Sequence, residues 1–411
     1  MIDGRQLGLR LRAMREKRGL TQEVVGEALR LPRTAVTNIE TGSRAISTLE
    51  LTKLADLYEC SPASFLEDRP NIPDDVSVVL MRALQQQASN DPAFEAAIDH
   101  VLTLCREGVA LKALLDDSRE EPLPDYSIRM ASAGDAIRQG EAIALDERRR
   151  LGLGNAPIWN IASVIASQGV WVAGCDLPAE MSGLFINDRR AGLAIIVNAG
   201  HPPVRRRFSY AHEYGHALFD RAEPYRLTHR GNADELVEKR ANAFAASLLM
   251  PRTGIEDQLR KLDKGRPSRQ AQIVYDVTRD TSSETEIRPP VGSQTVTWQD
   301  VNTMALYFGV SYESIVWRLR NLGLLGPSDA TTLLGQKDKR LLLAELLQLK
   351  TDEIAPPPDG RDQELRSQVV RLAIEAFRRE EISAGRLRDL AGKLGVKPAD
   401  LLDLAEVERA G

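Results

Sequence analysis

Apolar residues recur every three or four positions along most of this chain, which is the spacing of the buried face of an α-helix. In the first 68 residues this spacing predicts five short helices. Thr21 is placed to cap the second helix, Pro32 separates it from the third, and Gly42 follows the third. A helix, a tight turn and another helix of this size are typical of a unit that reads DNA, with the helix after the turn in the major groove.

The rest of the chain is predicted to be mainly helical, with one small sheet. Three runs bounded by Gly, Pro, Asp or Asn have the length of strands, namely residues 169–175, 182–186 and 193–198. Residues 252–294 are polar and broken by Gly and Pro, which predicts a loop with one short helix. Two later segments, 298–325 and 387–404, again show a helix, a turn and a helix.

These patterns predict a mainly α, multidomain protein with four parts. The parts are a five-helix helix-turn-helix domain (1–69), a helical connector (70–130), an α+β domain with a three-stranded sheet (131–286) and a helical region with two winged or helix-turn-helix-like units (287–411). The connector has two interpretations, which the sequence leaves open. It either packs against the α+β domain or forms a homodimer, in which two copies read two half-sites.

Charge and composition restrict the functions that the sequence allows. The first 53 residues carry ten Lys or Arg and six Asp or Glu, a local net charge of +4, whereas the whole chain carries −5. Phosphate binding needs such a local patch rather than a basic whole. No apolar run reaches the roughly 18 residues of a membrane span, and the first residues lack the apolar core of a secretory signal. Three cysteines without CxxC spacing are expected to be reduced thiols, so we expect a cytoplasmic protein.

The strongest chemical signal is the run from His212 to His216, an H-E-x-x-H. Residues four apart lie above one another on one face of a helix, so these two imidazoles could hold one zinc ion. Glu213 would then serve as the general base on an attacking water, and the expected reaction is peptide hydrolysis. The alternative is a hydrogen-bonded histidine pair on an ordinary core helix.

A catalytic zinc ion needs a third protein ligand and one open position. Glu238 and Asn242 lie four apart on a predicted helix that ends before Pro251. We expect Glu238 to be the third ligand, and Asn242 to accept the far N–H of a zinc-bound imidazole. The fallback ligands are Asp234 and Glu235.

Two further residues near the motif are weaker candidates. His229 lies between the two groups of ligands, where it could stabilise an oxyanion, and Tyr210 could reach a substrate. An exposed histidine and a core tyrosine are the ordinary interpretations of the same residues.

The segment from Gly134 to Pro251 resembles the ImmA/IrrE family of metallopeptidases. The resemblance is carried by Met181-Ser182-Gly183, by the run from Arg206 to His216, and by the segment from Glu238 to Pro251. It implies a zincin-like fold, with His212, His216 and Glu238 as zinc ligands and Glu213 as catalytic base. It also implies a substrate class, because members of the family cleave a helix-turn-helix repressor.

The first 68 residues resemble the XRE (Cro/C1-type) helix-turn-helix family. The resemblance lies in the run from Leu20 to Glu23, in Ile39-Glu40-x-Gly42 and in the Leu-rich stretch that ends at Ala55. It implies binding to a double-stranded DNA operator. On this resemblance, the residues that face base edges are Arg33, Thr34, Thr37 and Asn38, and those that touch phosphate are Gln22 and Arg44.

Two classes of function fit these signals. In the first, the protein is a DNA-binding transcriptional regulator whose zinc-dependent endopeptidase domain cleaves a partner repressor or the chain itself. In the second, it is a non-catalytic transcription factor or antitoxin-like regulator, whose zinc domain senses a ligand or holds a toxin-like protein partner. The first class is the leading hypothesis, because the chain carries both a DNA-binding domain and a complete set of zinc ligands. The second is a serious alternative, because a protease tethered to a DNA-binding domain is held at its operator, whereas a free protease can diffuse to a repressor.

Overall fold

The computed structural model describes residues 4–17, 20–58, 65, 80, 92–115, 123–126, 128–232, 234–265, 270–276, 281–287, 289–339 and 363–406. The chain divides into two compact units, residues 1–78 and 79–411. None of the described helices offers an apolar stretch of the length that a bilayer requires.

The described residues of the first unit form α1 (Gly4–Lys17), α2 (Gln22–Leu29), α3 (Arg33–Glu40) and α4 (Thr48–Leu57). Those of the second unit form α5 (Pro92–Leu114), α6 (Ala133–Arg150), α7 (Ile161–Ala166), β1 (Trp171–Cys175), β2 (Met181–Asp188), β3 (Gly192–Asn198), α8 (Pro203–Phe219), β4 (Tyr225–His229), a 3₁₀ turn (Arg230–Asn232), α9 (Leu236–Leu249), α10 (Arg252–Lys261), β5 (Gln270–Asp276), β6 (Thr281–Ile287), α11 (Trp298–Phe308), α12 (Tyr312–Asn321), α13 (Pro327–Leu334), α14 (Gln363–Arg378), α15 (Ala384–Leu394) and α16 (Pro398–Glu406).

The first unit has the helix-turn-helix arrangement that its sequence predicts. Thr21 caps α2 by accepting a hydrogen bond from the backbone N–H of Val24, and Pro32 lies between α2 and α3. The inward side chains of these helices form one buried cluster with α1 and α4. The fifth predicted helix, residues 61–65, lies outside the described residues except for Phe65, which is helical and buried in this cluster.

A buried ion pair ties the first three helices together. Arg15 of α1 donates from Nε to Glu40 Oε1 of α3 at 2.6 Å, and Glu40 is only 4% exposed. Gln22 of α2 donates to the other oxygen of Glu40 at 2.8 Å. Each partner therefore offsets the cost of removing the Glu40 carboxylate from water.

The central sheet has four strands rather than the predicted three. Their order is β1-β3-β2-β4, with β1 parallel to β3 and the other neighbours antiparallel. The three predicted strands are present, and β4 was not predicted. In β4 only Leu227 is buried, so this edge strand lacks the apolar run that marks the other three.

Between positions 252 and 294, the described residues contain more regular secondary structure than the predicted loop with one short helix. The helix is present as α10, but β5 and β6 also form an antiparallel two-stranded hairpin. Ile273 is 72% exposed and Tyr275 is 57% exposed, so their apolar side chains are not part of a core. Two apolar residues of β5 that would mark a buried strand in the sequence are therefore exposed.

One hydrophobic core extends across the predicted domain limit at position 286. Buried residues of α11, α12 and α13 belong to the same cluster as those of α6, α8 and α9. The division of the chain into four parts stays a prediction. Helices α11, α12 and α13 share one core with the helices around the central sheet. The connector helix α5 packs against β1, β3 and α14.

Arg207 of α8 stabilises the packing of α11 against α8. Its guanidinium is buried and donates to four backbone carbonyls, those of Ile158, Trp159, Phe308 and Gly309. Gly309 ends α11 in the left-handed region at φ 64°, and an added Cβ there would lie 3.2 Å from this guanidinium. The last turn of α11 is therefore capped by a side chain of α8.

We expect Arg15→Ala to destabilise the first unit by about 3 kcal/mol, because it leaves the Glu40 carboxylate buried without its charged partner. Urea denaturation of the whole protein, followed by hydrogen exchange of the α1–α4 amides, measures the change. Arg12→Ala is the matched control, since Arg12 pairs with Glu16 at the exposed surface and its loss should cost little. Equal effects of the two substitutions would contradict a stabilising role for the buried pair.

Candidate metal centre

Helices α8 and α9 bring three potential metal ligands to one point. The Nε2 atoms of His212 and His216 are 3.0 Å apart, as the i, i+4 spacing on α8 requires. Glu238, in the first turn of α9, has its Oε2 3.1 Å from His212 Nε2 and its Oε1 3.6 Å from His216 Nε2. One ligand atom from each residue lies within 4.8 Å of the others, and all three side chains are buried.

The far nitrogen of each imidazole has an acceptor that fixes the ring. His212 Nδ1 is 3.0 Å from Asn242 Oδ1, and His216 Nδ1 is 2.7 Å from Asp220 Oδ2. Proton donation from each Nδ1 leaves the lone pair of Nε2 facing the common point. The sequence predicts the Asn242 contact, whereas Asp220 was missed, although its position four residues after His216, at the C-cap of α8, was a signal.

The charges at this point also suit a divalent cation. Burial alone would lower the pKa of His216, but hydrogen bonds to Asp220 and Glu238 outweigh it and raise the pKa to about 9. Burial would raise the pKa of Glu238, but hydrogen bonds to His212 and His216 outweigh it and the pKa lies below its usual value. A cluster that holds a proton this firmly has the negative potential to hold a metal ion in its place.

Glu213 lies beside the cluster and is completely buried. Neither of its carboxylate oxygens makes a hydrogen bond of good geometry to the described residues. Burial is the main cause that raises the pKa of this carboxyl above its usual value, although the nearby Thr228 hydroxyl lowers that pKa somewhat. A buried polar group without a partner is costly, so it indicates a functional rather than a structural role for Glu213.

The residues predicted to read base edges share the exposed face of α3. Arg33, Thr34, Thr37 and Asn38 are all exposed, opposite the buried Val36 and Ile39. Of the two predicted phosphate contacts, Gln22 accepts a hydrogen bond from Thr37 at 3.1 Å, and Arg44 pairs with Glu50 at 2.8 Å. The structure therefore presents the predicted face of α3 to solvent.

Two family models match the chain, one over the helix-turn-helix unit and one over the segment that contains the candidate metal centre. A helix-turn-helix domain matches residues 6–65, and an IrrE N-terminal-like domain matches residues 165–274. The chain joins a helix-turn-helix domain to an IrrE N-terminal-like domain. The predicted recognition of both parts is thereby confirmed.

Comparisons with whole proteins add little to these two matches. No curated protein matches the chain. Among solved structures, the chain is similar to Bacillus thuringiensis PlcR in its crystal structure with the peptide PapR7 and DNA, at 13% identity over 99% of this chain and 98% of that one, with a TM-score of 0.16. A likeness at that score supports no conclusion about fold or function.

Other predicted residues of the IrrE N-terminal-like domain lie away from the three ligands. Glu235 pairs with Arg226 at 2.6 Å, and Asp234 is fully exposed and lies 3.6 Å from Lys239. Neither fallback ligand joins the cluster that the structure describes. Tyr210 lines a separate cavity of about 200 Å³, which has none of the three ligands in its wall.

Strand β4 borders the cluster through a residue that the sequence did not single out. Arg226 donates from Nε to Glu238 Oε1 at 3.0 Å, so it orients the third ligand as well as its neighbour Glu235. His229, at the end of β4, accepts the backbone N–H of Gly231 with Nδ1 at 3.1 Å. An oxyanion role for His229 stays a prediction.

We expect Gly183→Ala to disturb the base at this site. An added Cβ would lie 2.8 Å from Glu213 Oε1 and 3.0 Å from the carbonyl oxygen of Ile196, and the enclosed Glu213 has little room to move. The expected loss is about 1–3 kcal/mol of unfolding free energy, measured by urea denaturation. Gly134→Ala is the matched control, because its Cβ would meet nothing closer than 3.4 Å. A Gly183→Ala protein as stable as this control would contradict the close packing.

Proposed function

We propose that this protein binds a double-stranded DNA operator through its helix-turn-helix domain and hydrolyses a peptide bond with a zinc ion held by His212, His216 and Glu238. The substrate is a partner repressor or the chain itself. The observation that carries the proposal is a buried, unpartnered Glu213 beside three converging ligand atoms. An ordinary core histidine pair does not account for that carboxylate.

Zinc suits this donor set, and when bound it would polarise the scissile carbonyl and lower the pKa of the attacking water. Glu213 would accept the proton of that water and later donate it to the leaving amine. Its raised pKa supports this role, because a base that is too acidic cannot return the proton near neutral pH. Asn242 and Asp220 would hold the two imidazoles in the tautomer that presents Nε2.

The sheet suggests how an extended substrate is held. Its two edge strands are β1 and β4, and β1 is packed against α5, α7 and α14. Strand β4 lies on the side of the ligands, since Arg226 contacts Glu238. A substrate that adds a strand to β4 would run past the metal ligands with its backbone hydrogen-bonded.

The burial of the cluster favours a second candidate function. His216 and Glu213 are 0% exposed and Glu238 is 1% exposed, so a substrate backbone does not reach the ligands without movement of the residues above them. A closed metal site suits a non-catalytic transcription factor or antitoxin-like regulator, whose zinc domain is a sensor or holds a toxin-like partner. A neighbouring gene for a small toxin would favour this candidate, and one for a separate repressor would favour the peptidase.

The two candidates differ in the effect of Glu213→Gln. We expect the whole protein to bind one zinc ion and to cleave the repressor encoded beside it, and Glu213→Gln to keep the metal but lose at least about a hundredfold in cleavage rate. Metal analysis and gel electrophoresis of the products measure the two properties. Glu223→Gln, the same change at an exposed position, should cleave normally. Zinc binding without cleavage by the wild type, or equal cleavage by Glu213→Gln, would refute the peptidase.

Loss of the metal ligands should not affect DNA binding. We expect His216→Ala to abolish zinc binding and to leave the affinity for the operator within about twofold, because the operator contacts are assigned to α3 in the other unit. Fluorescence anisotropy with labelled operator measures that affinity. Loss of both properties would mean that zinc stabilises the whole protein.

We expect Arg33→Ala to weaken operator binding by about 1–3 kcal/mol and to relax the preference for one base pair, as removal of a bidentate base contact does. Arg33 is 65% exposed and now pairs with Glu23 at 3.0 Å, so DNA can compete for it. Arg12→Ala removes an exposed arginine of α1 and serves as the control. An unchanged operator preference in Arg33→Ala would show that another helix reads the bases.

A further inference from the structure

A cleft of about 470 Å³ lies between α6, α9 and α12, and one of its lining residues, Asn242, contacts the candidate ligand His212. Its floor is one face of α9, formed by Asn242, Ala243 and Ala246. Its walls include Ile137 of α6 and Trp317 of α12, which are 44% and 47% exposed. Large apolar side chains left open around a concave space of this volume are typical of a small-molecule site.

The end of the cleft next to Glu238 presents hydrogen-bond donors. Asn242 is exposed, and its Oδ1 already accepts from His212, so the two N–H groups of its amide remain for another partner. Lys239 lies three residues earlier on the same face, and its ammonium is 3.6 Å from Asp234, whose side chain is fully exposed. An exposed ion pair of that length is weak, so Lys239 can turn to a ligand.

The acidic residues of the cleft lie on its walls rather than on this floor. Glu141 of α6 is neutralised by Arg318 at 2.6 Å. Glu313 is in the first turn of α12. A ligand that fits this cleft therefore has a flat or aromatic apolar body, which the apolar walls would contact. It also has an anionic group, which Lys239 and Asn242 on α9 would bind.

We propose that this cleft is a sensor site for a small anionic aromatic molecule and that Asn242 couples it to the metal ligands. A ligand that hydrogen-bonds to Asn242 contacts the residue that fixes the ring of His212. Occupancy of the cleft and affinity for zinc are then linked, and each changes the other by the same factor. The coupling rests on the proposed metal centre, whereas ligand binding in the cleft does not.

The first experiment measures binding of 8-anilinonaphthalene-1-sulfonate to the whole, metal-free protein by fluorescence. Binding should saturate, and both Lys239→Met and Trp317→Ala should weaken it about tenfold, because one removes the charge partner and the other an aromatic wall. Trp159→Ala is the control, since Trp159 is 63% exposed and lines the separate cavity beside Tyr210. Wild-type binding in Lys239→Met and Trp317→Ala, or a loss only in Trp159→Ala, would overturn the site.

The second experiment measures the dissociation constant of zinc with and without saturating 8-anilinonaphthalene-1-sulfonate. We expect a change of about fivefold or more in the wild type and none in Asn242→Ala. An unchanged constant in the wild type would overturn the coupling. A wild-type protein that binds the probe in the cleft but binds no zinc would refute the proposed metal centre and the coupling, and would leave the ligand site supported.

Discussion

The polar side chains at the centre of the IrrE N-terminal-like domain need charged or hydrogen-bonding partners within the protein, because water is excluded there. Two imidazoles and four carboxyl or amide groups meet where α8 and α9 approach each other, and five of these six groups have a partner: His212 contacts Asn242 and Glu238, and His216 contacts Asp220 and Glu238. Among these six groups, Glu213 is the exception. Because an uncompensated carboxyl is expensive to bury, its presence beside two fully oriented imidazoles is the physical argument for a metal and a reaction.

The arginines around the candidate ligands bind the groups that hold those ligands in place. Arg240 donates to Asp220 at 2.8 Å, so the acceptor that orients His216 is itself held in place. Arg226 does the same for Glu238 from the neighbouring strand. Arg148 and Arg318 bind backbone carbonyls at the end of α9. The third ligand is thus fixed both directly and through the helix that carries it.

The candidate ligands could be predicted from the sequence because their spacing is local. His212 and His216 are one helical turn apart, and Glu238 and Asn242 repeat that spacing, so helical geometry alone places each pair on one face. Partners distant in the sequence left no such signal. Arg226 and Glu238 meet only because β4 joins the sheet, and Arg207 reaches Phe308 across about a hundred residues. Strand β4 was missed because only Leu227 of its five residues is buried, which leaves no apolar run in the sequence.

The four carbonyls bound by Arg207 limit how this protein can be divided. Two of them belong to residues 308 and 309, well beyond the last residue matched by the IrrE N-terminal-like domain. A fragment ended at residue 274, the last residue of that family match, would lose two of the four acceptors of the buried Arg207 guanidinium and expose the apolar surfaces that α11 and α12 cover. The peptidase-like part of this chain therefore needs α11 and α12 to keep its core closed, and a stable fragment of it has to include them.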